Sequence, residues 1–253
     1  MRAKPVPKDP ERRSPTRTRI GAALWIVAAV QFLAAQLVVG AAWRTPYSRQ
    51  RNNISDLGNV SCRIWDDSRP RYVCSPLHDL MNASFVAHGA LLAAGVLLTG
   101  AAWGRGGAAL TGRTLLVLTG AAWVVVGLTP ADVDENLHVL AALVILVIGN
   151  AALICAGLLP RHSRLGSLRP LTLAVAVLAL AAAVMFFGGS DPGIGRGTLE
   201  RLACFGADIW MPVAALAVLR ARTRPASPRA AAGLPAHRPP LTARADRDPA
   251  PPK

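Results

Sequence analysis

Apolar residues in this chain are gathered into long runs, and no soluble single-domain fold accommodates so many runs of that length. They occupy about 20–43, 80–103, 114–131, 136–159, 170–188 and 199–219. Each is near the roughly 20 residues that cross about 30 Å of hydrocarbon. The bilayer core holds no water to satisfy backbone N–H and C=O groups, so each span is predicted to be a helix. The expected fold class is an all-α integral membrane protein, a six-helix transmembrane bundle whose first partner is the lipid bilayer. Composition agrees, with 52% hydrophobic and only 17% charged residues in 253.

The net charge of +14 raises nucleic acid as a partner, but its placement points elsewhere. If the first terminus is cytoplasmic, most Lys and Arg fall inside: those before Ile20, then Arg105 and Arg113, then Arg161, Arg164 and Arg169, then the tail from Arg220. That is the positive-inside bias. Six arginines between Arg44 and Arg71 oppose it and are outweighed. No binding motif accompanies the charge, so no nucleic-acid partner is expected. The reading is a multi-pass membrane protein, both termini cytoplasmic, with basic tails drawn to anionic inner-leaflet lipid. The first apolar run exceeds the roughly 7 to 15 residues of a signal h-region and reads as a retained span.

Residues 1–19 form a basic arm and residues 220–253 a Pro, Ala and Arg-rich tail, both predicted disordered and cytoplasmic. Residues 44–79 make one long outer loop. Tyr47, Ile54, Leu57, Trp65, Tyr72 and Leu77 give it apolar anchors, so it is expected to fold. Ser55 or Asp56 suits a helix cap. Cys62 and Cys74 lie on the oxidising side and are predicted to pair as a disulfide, while Cys155 and Cys204 read as small buried hydrophobes. Trp25 and Trp43 are placed at the membrane interfaces, Gln31 and Gln36 against other helices, and the fifth span against lipid.

Ionisable groups inside spans are expensive and mark sites. Glu200, Cys204 and Asp208 fall at i, i+4 and i+8, on one helix face with Arg201 close by. Pro212 stands four residues beyond Asp208, where its ring opposes the Asp208 carbonyl and predicts a helix kink. Ser84 and His88 are likewise i and i+4, and His138 opens the fourth span. These six groups, Ser84, His88, His138, Glu200, Arg201 and Asp208, are expected in the outer half of the bilayer as an outward-facing ligand pocket, roofed by 52–58 with Asp56. No catalytic residue and no cofactor is assigned. For a metal, the ligands are His88, His138 and Asp208, with zinc the alternative cofactor. Ser84-x-x-x-His88 resembles one element of the membrane zinc hydrolases related to alkaline ceramidases, whose further His-x-x-x-His pair and seventh span this chain lacks.

The segment Asn53-Ile54-Ser55-Asp56-Leu57-Gly58 follows Pro46-Tyr47-Ser48. Leu80-Met81-Asn82-Ala83-Ser84 opens a Gly-rich span, His138 a later one and Glu200-Arg201 the last. Together these resemble the bacterial membrane family catalogued as domain of unknown function 998, over roughly 20–219. The resemblance implies a multi-span bacterial inner-membrane protein and carries no activity with it. The stretch from Cys62 to Cys74 elaborates on the usual pattern. The leading expectation is non-enzymatic binding of a lipid headgroup or small ligand in the outward pocket. The alternatives are a membrane-embedded hydrolase or transferase acting on outer-leaflet lipid, and a proton-coupled carrier. Oligomeric state is left open.

Overall fold

The computed structural model describes residues 15–45, 47–66 and 69–220. The first long helix, α1 (Pro15–Ala41), starts on a proline, whose fixed φ suits the first helical position. It begins ahead of its apolar run, so residues 15–19 of the expected arm are helical. The rest of that arm, and the tail beyond Arg220, lie outside the described residues. The other helices are α2 (His78–Leu98), a short α3 (Gly100–Trp103), α4 (Gly107–Leu128), α5 (Glu135–Leu143), α6 (Gly149–Gly157), α7 (Arg169–Phe187) and α8 (Arg196–Arg220). A π-turn, Val144–Ile148, joins α5 to α6. Six helical spans are long and apolar enough to cross a membrane, and the chain is a multi-pass membrane protein in contact with the bilayer.

The spans pack as a closed ring in chain order. α1 meets α2, α2 meets α4, α4 meets the α5–α6 span, that span meets α7, α7 meets α8, and α8 returns to α1. Leucines, valines and isoleucines such as Val30, Leu97, Leu118, Leu140, Leu178 and Val184 stand exposed around the outside, where lipid is their solvent. Within the ring, glycines set how closely backbones approach. A Cβ on Gly120 would meet the Gly89 carbonyl oxygen at 2.7 Å, and one on Gly21 would meet that of Gly95 at 2.9 Å.

The two ends of the bundle differ. At the end reached by the termini of α1 and α8 that enclose the sequence, Trp25, Trp103 and Trp210 form one buried layer, with ring centroids 5.3 Å and 5.8 Å apart. Their indole N–H groups donate to the Leu92 carbonyl, the Thr99 hydroxyl and the Thr172 hydroxyl. Trp25 is therefore a core residue rather than an interfacial one. α7 likewise buries Ala176, Ala179 and Ala183 and supplies Thr172, so it is a packed helix with only one face to lipid.

At the opposite, loop end, the connection from α1 to α2 folds over the bundle. It comprises a 3-10 turn (Ser55–Gly58) and an antiparallel hairpin, β1 (Arg63–Trp65) and β2 (Arg71–Val73), in the register Ile64↔Tyr72. The predicted Cys62–Cys74 disulfide closes the hairpin.

Candidate functional site

The turn Ser55–Gly58 is held from every side by groups distant in sequence. Asp56 is 1% exposed and takes a two-pronged contact from Arg71, Nε to Oδ2 at 2.8 Å and Nη2 to Oδ1 at 2.6 Å. The Asn52 side-chain amide and the Asn53 N–H donate to it as well, at 3.1 Å and 3.0 Å. Burial works against the Arg71 charge. The hydrogen bond and charge of Asp56, with Asp66 behind them, more than offset it and hold the guanidinium pKa above its ordinary value. From α2 the Asn82 amide donates to the Gly58 carbonyl, 2.9 Å, and from the loop before it the Ser75 hydroxyl donates to the Leu57 carbonyl, 2.6 Å.

α8 reaches the same turn through its first two turns. The Ile54 N–H donates to the Glu200 carboxylate at 2.5 Å. Arg201 donates to the carbonyls of Arg49, Asn52 and Gly197, each at 2.8 Å, and to the Tyr47 hydroxyl. Burial pushes the Tyr47 phenol up, against the nearby Arg201 charge, so its hydroxyl stays a donor to the Asn53 carbonyl, 3.1 Å. The α4–α5 turn adds Asp132, whose carboxylate accepts the N–H groups of Val60 and Ser61. Asp56, Glu200 and Arg201 thus build a cap that closes the loop end.

Besides a groove of about 430 Å³ between α1 and α2 that Gln31 and Ser84 help to line, two further spaces bear on the predicted residues. The first is a cavity of about 30 Å³ lined by Ile54, Ser55, His138, Glu200 and Cys204 among others, enough for about one water. His138 donates from Nδ1 to the Thr129 carbonyl, 2.7 Å. The π-turn runs beside this cavity through Ile145 and Leu146. Asn150 bonds the Leu146 carbonyl at 2.6 Å and the Ala203 carbonyl at 2.8 Å, which ties the fourth span to α8.

The second space is an apolar groove of about 300 Å³ between α1 and α8, lined by Ala29, Val30, Phe32, Leu33, Phe205, Ile209 and Pro212, with Asp208 as its single charged residue. Val30, Leu33 and Ile209 are lipid-facing, so the groove opens sideways into the bilayer. α8 runs unbroken through Pro212. Asp208 lies twelve residues into this 25-residue helix, about 18 Å at 1.5 Å per residue, and so near mid-membrane.

His88 is fully buried behind the groove, among the rings of Phe32 and Trp123. Its Nδ1 faces the Ala28 carbonyl at 3.2 Å. A carbonyl only accepts, so Nδ1 carries the hydrogen and the neutral ring presents Nε2 as an acceptor. That Nε2 lies 3.7 Å from Asp208 Oδ1, beyond hydrogen-bond length, and neither atom has a hydrogen-bond partner. With Asp208 ionised, these are two acceptors facing one another, one hydrogen short. The missing hydrogen is a proton held between them or a donor brought by a ligand.

Ser84 does not join this pair. Its hydroxyl donates to the Gln31 side chain at 2.8 Å, and the Gln31 amide returns to the Ser84 carbonyl at 3.3 Å. The single outward pocket expected from the six groups is therefore divided: His138 and Glu200 at the small cavity, His88 and Asp208 at the groove, Ser84 and Gln31 between α1 and α2, and Asp56 with Arg201 in the cap. Among the described residues no three His, Cys, Asp or Glu side chains converge as a metal-ligand set; His88 faces Asp208, and His138 lines the other cavity. Sequence reading missed Arg71, Asn82 and Asp132. Arg71 opens a short strand, Asp132 sits in a turn and Asn82 in the first turns of a helix, and nothing in the local pattern sets any of them apart from a solvated residue.

Residues 26–217 match the family described as protein of unknown function DUF998, and the chain belongs to that family. No curated protein and no solved structure matches it.

Proposed function

We propose that this DUF998 protein binds a small lipid-soluble molecule that carries a hydrogen-bond donor and enters from the bilayer through the groove between α1 and α8. One observation carries the reading. Asp208 lines an apolar groove of about 300 Å³, and its Oδ1, with His88 Nε2 behind it, is buried without a hydrogen-bond partner. Leaving such groups unpaired in hydrocarbon costs several kcal/mol, and an ammonium or other group with two hydrogens to donate, placed beside them, supplies both acceptors. The apolar walls take the remainder of the ligand. A headgroup arriving from the loop end has no such route, because the cap of Ile54, Ser55, Glu200 and Arg201 stands over the bundle.

The Lys and Arg distribution supports a bacterial inner-membrane setting with cytoplasmic termini and the cap outside. In that orientation the basic segments 1–19 and 220–253 meet anionic inner-leaflet lipid. A membrane-impermeant thiol reagent applied to intact cells after mild reduction then labels Cys62 and Cys74, whereas an inward cap leaves them unlabelled.

The ligand reading is tested by mass spectrometry of organic extracts from protein purified in mild detergent. Wild type retains a lipid-soluble species enriched over the bulk membrane lipid. Ala29→Phe, which fills the groove, loses it, and Asp208→Leu retains less. Extracts from wild type and Ala29→Phe that both match bulk lipid overturn the proposal.

A further inference from the structure

Glu200, Cys204 and Asp208 stand in a row on α8, one helical turn apart. The Cys204 thiol lies 4.0 Å from Asp208 Oδ2, the Asp208 oxygen turned away from His88. On its other side Cys204 lines the water-sized cavity, together with Glu200 and His138. Glu200 in turn accepts the Ile54 N–H of the cap. Protonatable groups thus connect mid-membrane to the loop end, with space for about one water between them.

The other direction is closed. Beyond Asp208 come Trp210, Trp25 and Trp103, in ring contact and fully buried, and all three N–H groups are already donated. That layer presents no unused hydrogen-bonding group to carry a proton onward. We infer that the row forms a one-sided proton path, through which the His88–Asp208 pair takes up and releases a single proton from the loop end only. The proton enters at the Glu200 carboxylate, crosses the cavity on water past the Cys204 thiol, and comes to rest between Asp208 Oδ1 and His88 Nε2. It leaves by the same route, so no net current crosses the membrane.

The groups that bear on this path are few. Asp208 faces His88 from α2 and Cys204 from its own helix, while α1 offers it only Ala29, Phe32 and other apolar side chains. Glu200 has Arg201 beside it, His138 across the cavity on α5, and Tyr47, Asp56 and Arg71 in the cap. Arg201 and Arg71 are committed to carbonyls and to Asp56, so neither reaches down to neutralise Asp208. The inference concerns the protein with no ligand donor at this pair, because such a donor would take the place of the proton.

The test is infrared spectroscopy of the full chain in lipid nanodiscs, following the protonated-carboxyl band that Asp208→Asn removes. As pH is lowered that band appears in wild type, and on transfer to D2O it shifts as the proton exchanges. Ala142→Phe fills the cavity and Cys204→Val removes the thiol. Slowing of exchange in either by roughly tenfold or more, about 1.4 kcal/mol of added barrier, with Thr172→Val at the tryptophan layer keeping the wild-type rate, supports the path. Wild-type rates in both Ala142→Phe and Cys204→Val overturn it, as does the absence at every pH of a band sensitive to Asp208→Asn. Lipid retention, measured separately on Ala29→Phe, is unaffected by either outcome.

Discussion

Replacing Arg71 by Met leaves the Asp56 carboxylate buried with only two neutral donors, the Asn52 amide and the Asn53 N–H. Breaking one side of a buried pair costs about 3 to 5 kcal/mol, so Arg71→Met is expected to lower the thermal unfolding midpoint in detergent strongly. Asp56→Asn with Arg71→Met recovers part of the loss, because the unpaired charge is gone. Ser84 behaves differently. Its hydroxyl is one half of a Gln31 exchange between α1 and α2, and such contacts average about 0.6 kcal/mol in membrane bundles. Ser84→Ala therefore shifts the midpoint only slightly and leaves lipid retention intact, whereas a nucleophile would be indispensable to any turnover. At this scale the sequence singled out Asp56 as part of a pocket roof, and the structure pairs it with Arg71 in the cap. Its partner Arg71 is fifteen residues away on a hairpin strand, and spacing alone does not reveal that pairing.

Helices here are set by their glycines as much as by their apolar faces. A Cβ at Gly89 meets the Gly120 carbonyl and, at 2.7 Å, Trp123 Cβ. The obstacle on α4 is mostly backbone and cannot rotate aside, so α2 and α4 have to separate. Gly89→Ala is expected to cost about 1 to 3 kcal/mol as an overpacked contact, read as a lower unfolding midpoint, with Gly107→Ala, at the open start of α4, as the neutral comparison. The span boundaries were legible from hydropathy to within a few residues at most ends. The exceptions have physical causes. α4 starts at Gly107, ahead of its apolar run, because a long basic side chain such as Arg113 near a helix end is tolerated inside the helix. The π-turn at Val144–Ile148 sits in an unbroken apolar run, and its residues carry no signal for it. Asn150 is the one hint, since a buried amide there has a carbonyl to bond.

Across the described residues the ring divides into an end filled by three tryptophans in ring contact and an end with buried ionisable groups beneath a cap. Trp210 ties the tryptophan end together, since it touches Trp25 and Trp103 and donates to Thr172 at 3.1 Å. Trp210→Ala removes all three contacts at once. It is expected to cost about 3 to 5 kcal/mol, visible as a loss of near-UV circular dichroism well below the wild-type unfolding temperature. By itself the sequence determined that the chain spans a membrane with six helices, that one long connection is folded and disulfide-closed, and that Asp208 lies deep in the bilayer. Those properties follow from run length, charge and composition, which act locally. Tertiary structure decided that His88 and Asp208 meet while Ser84 and His138 do not, that Trp25 is core, and that the opening faces lipid rather than the loop end. Those depend on how each helix is rotated about its axis, and rotation is fixed by contacts between segments far apart in the chain.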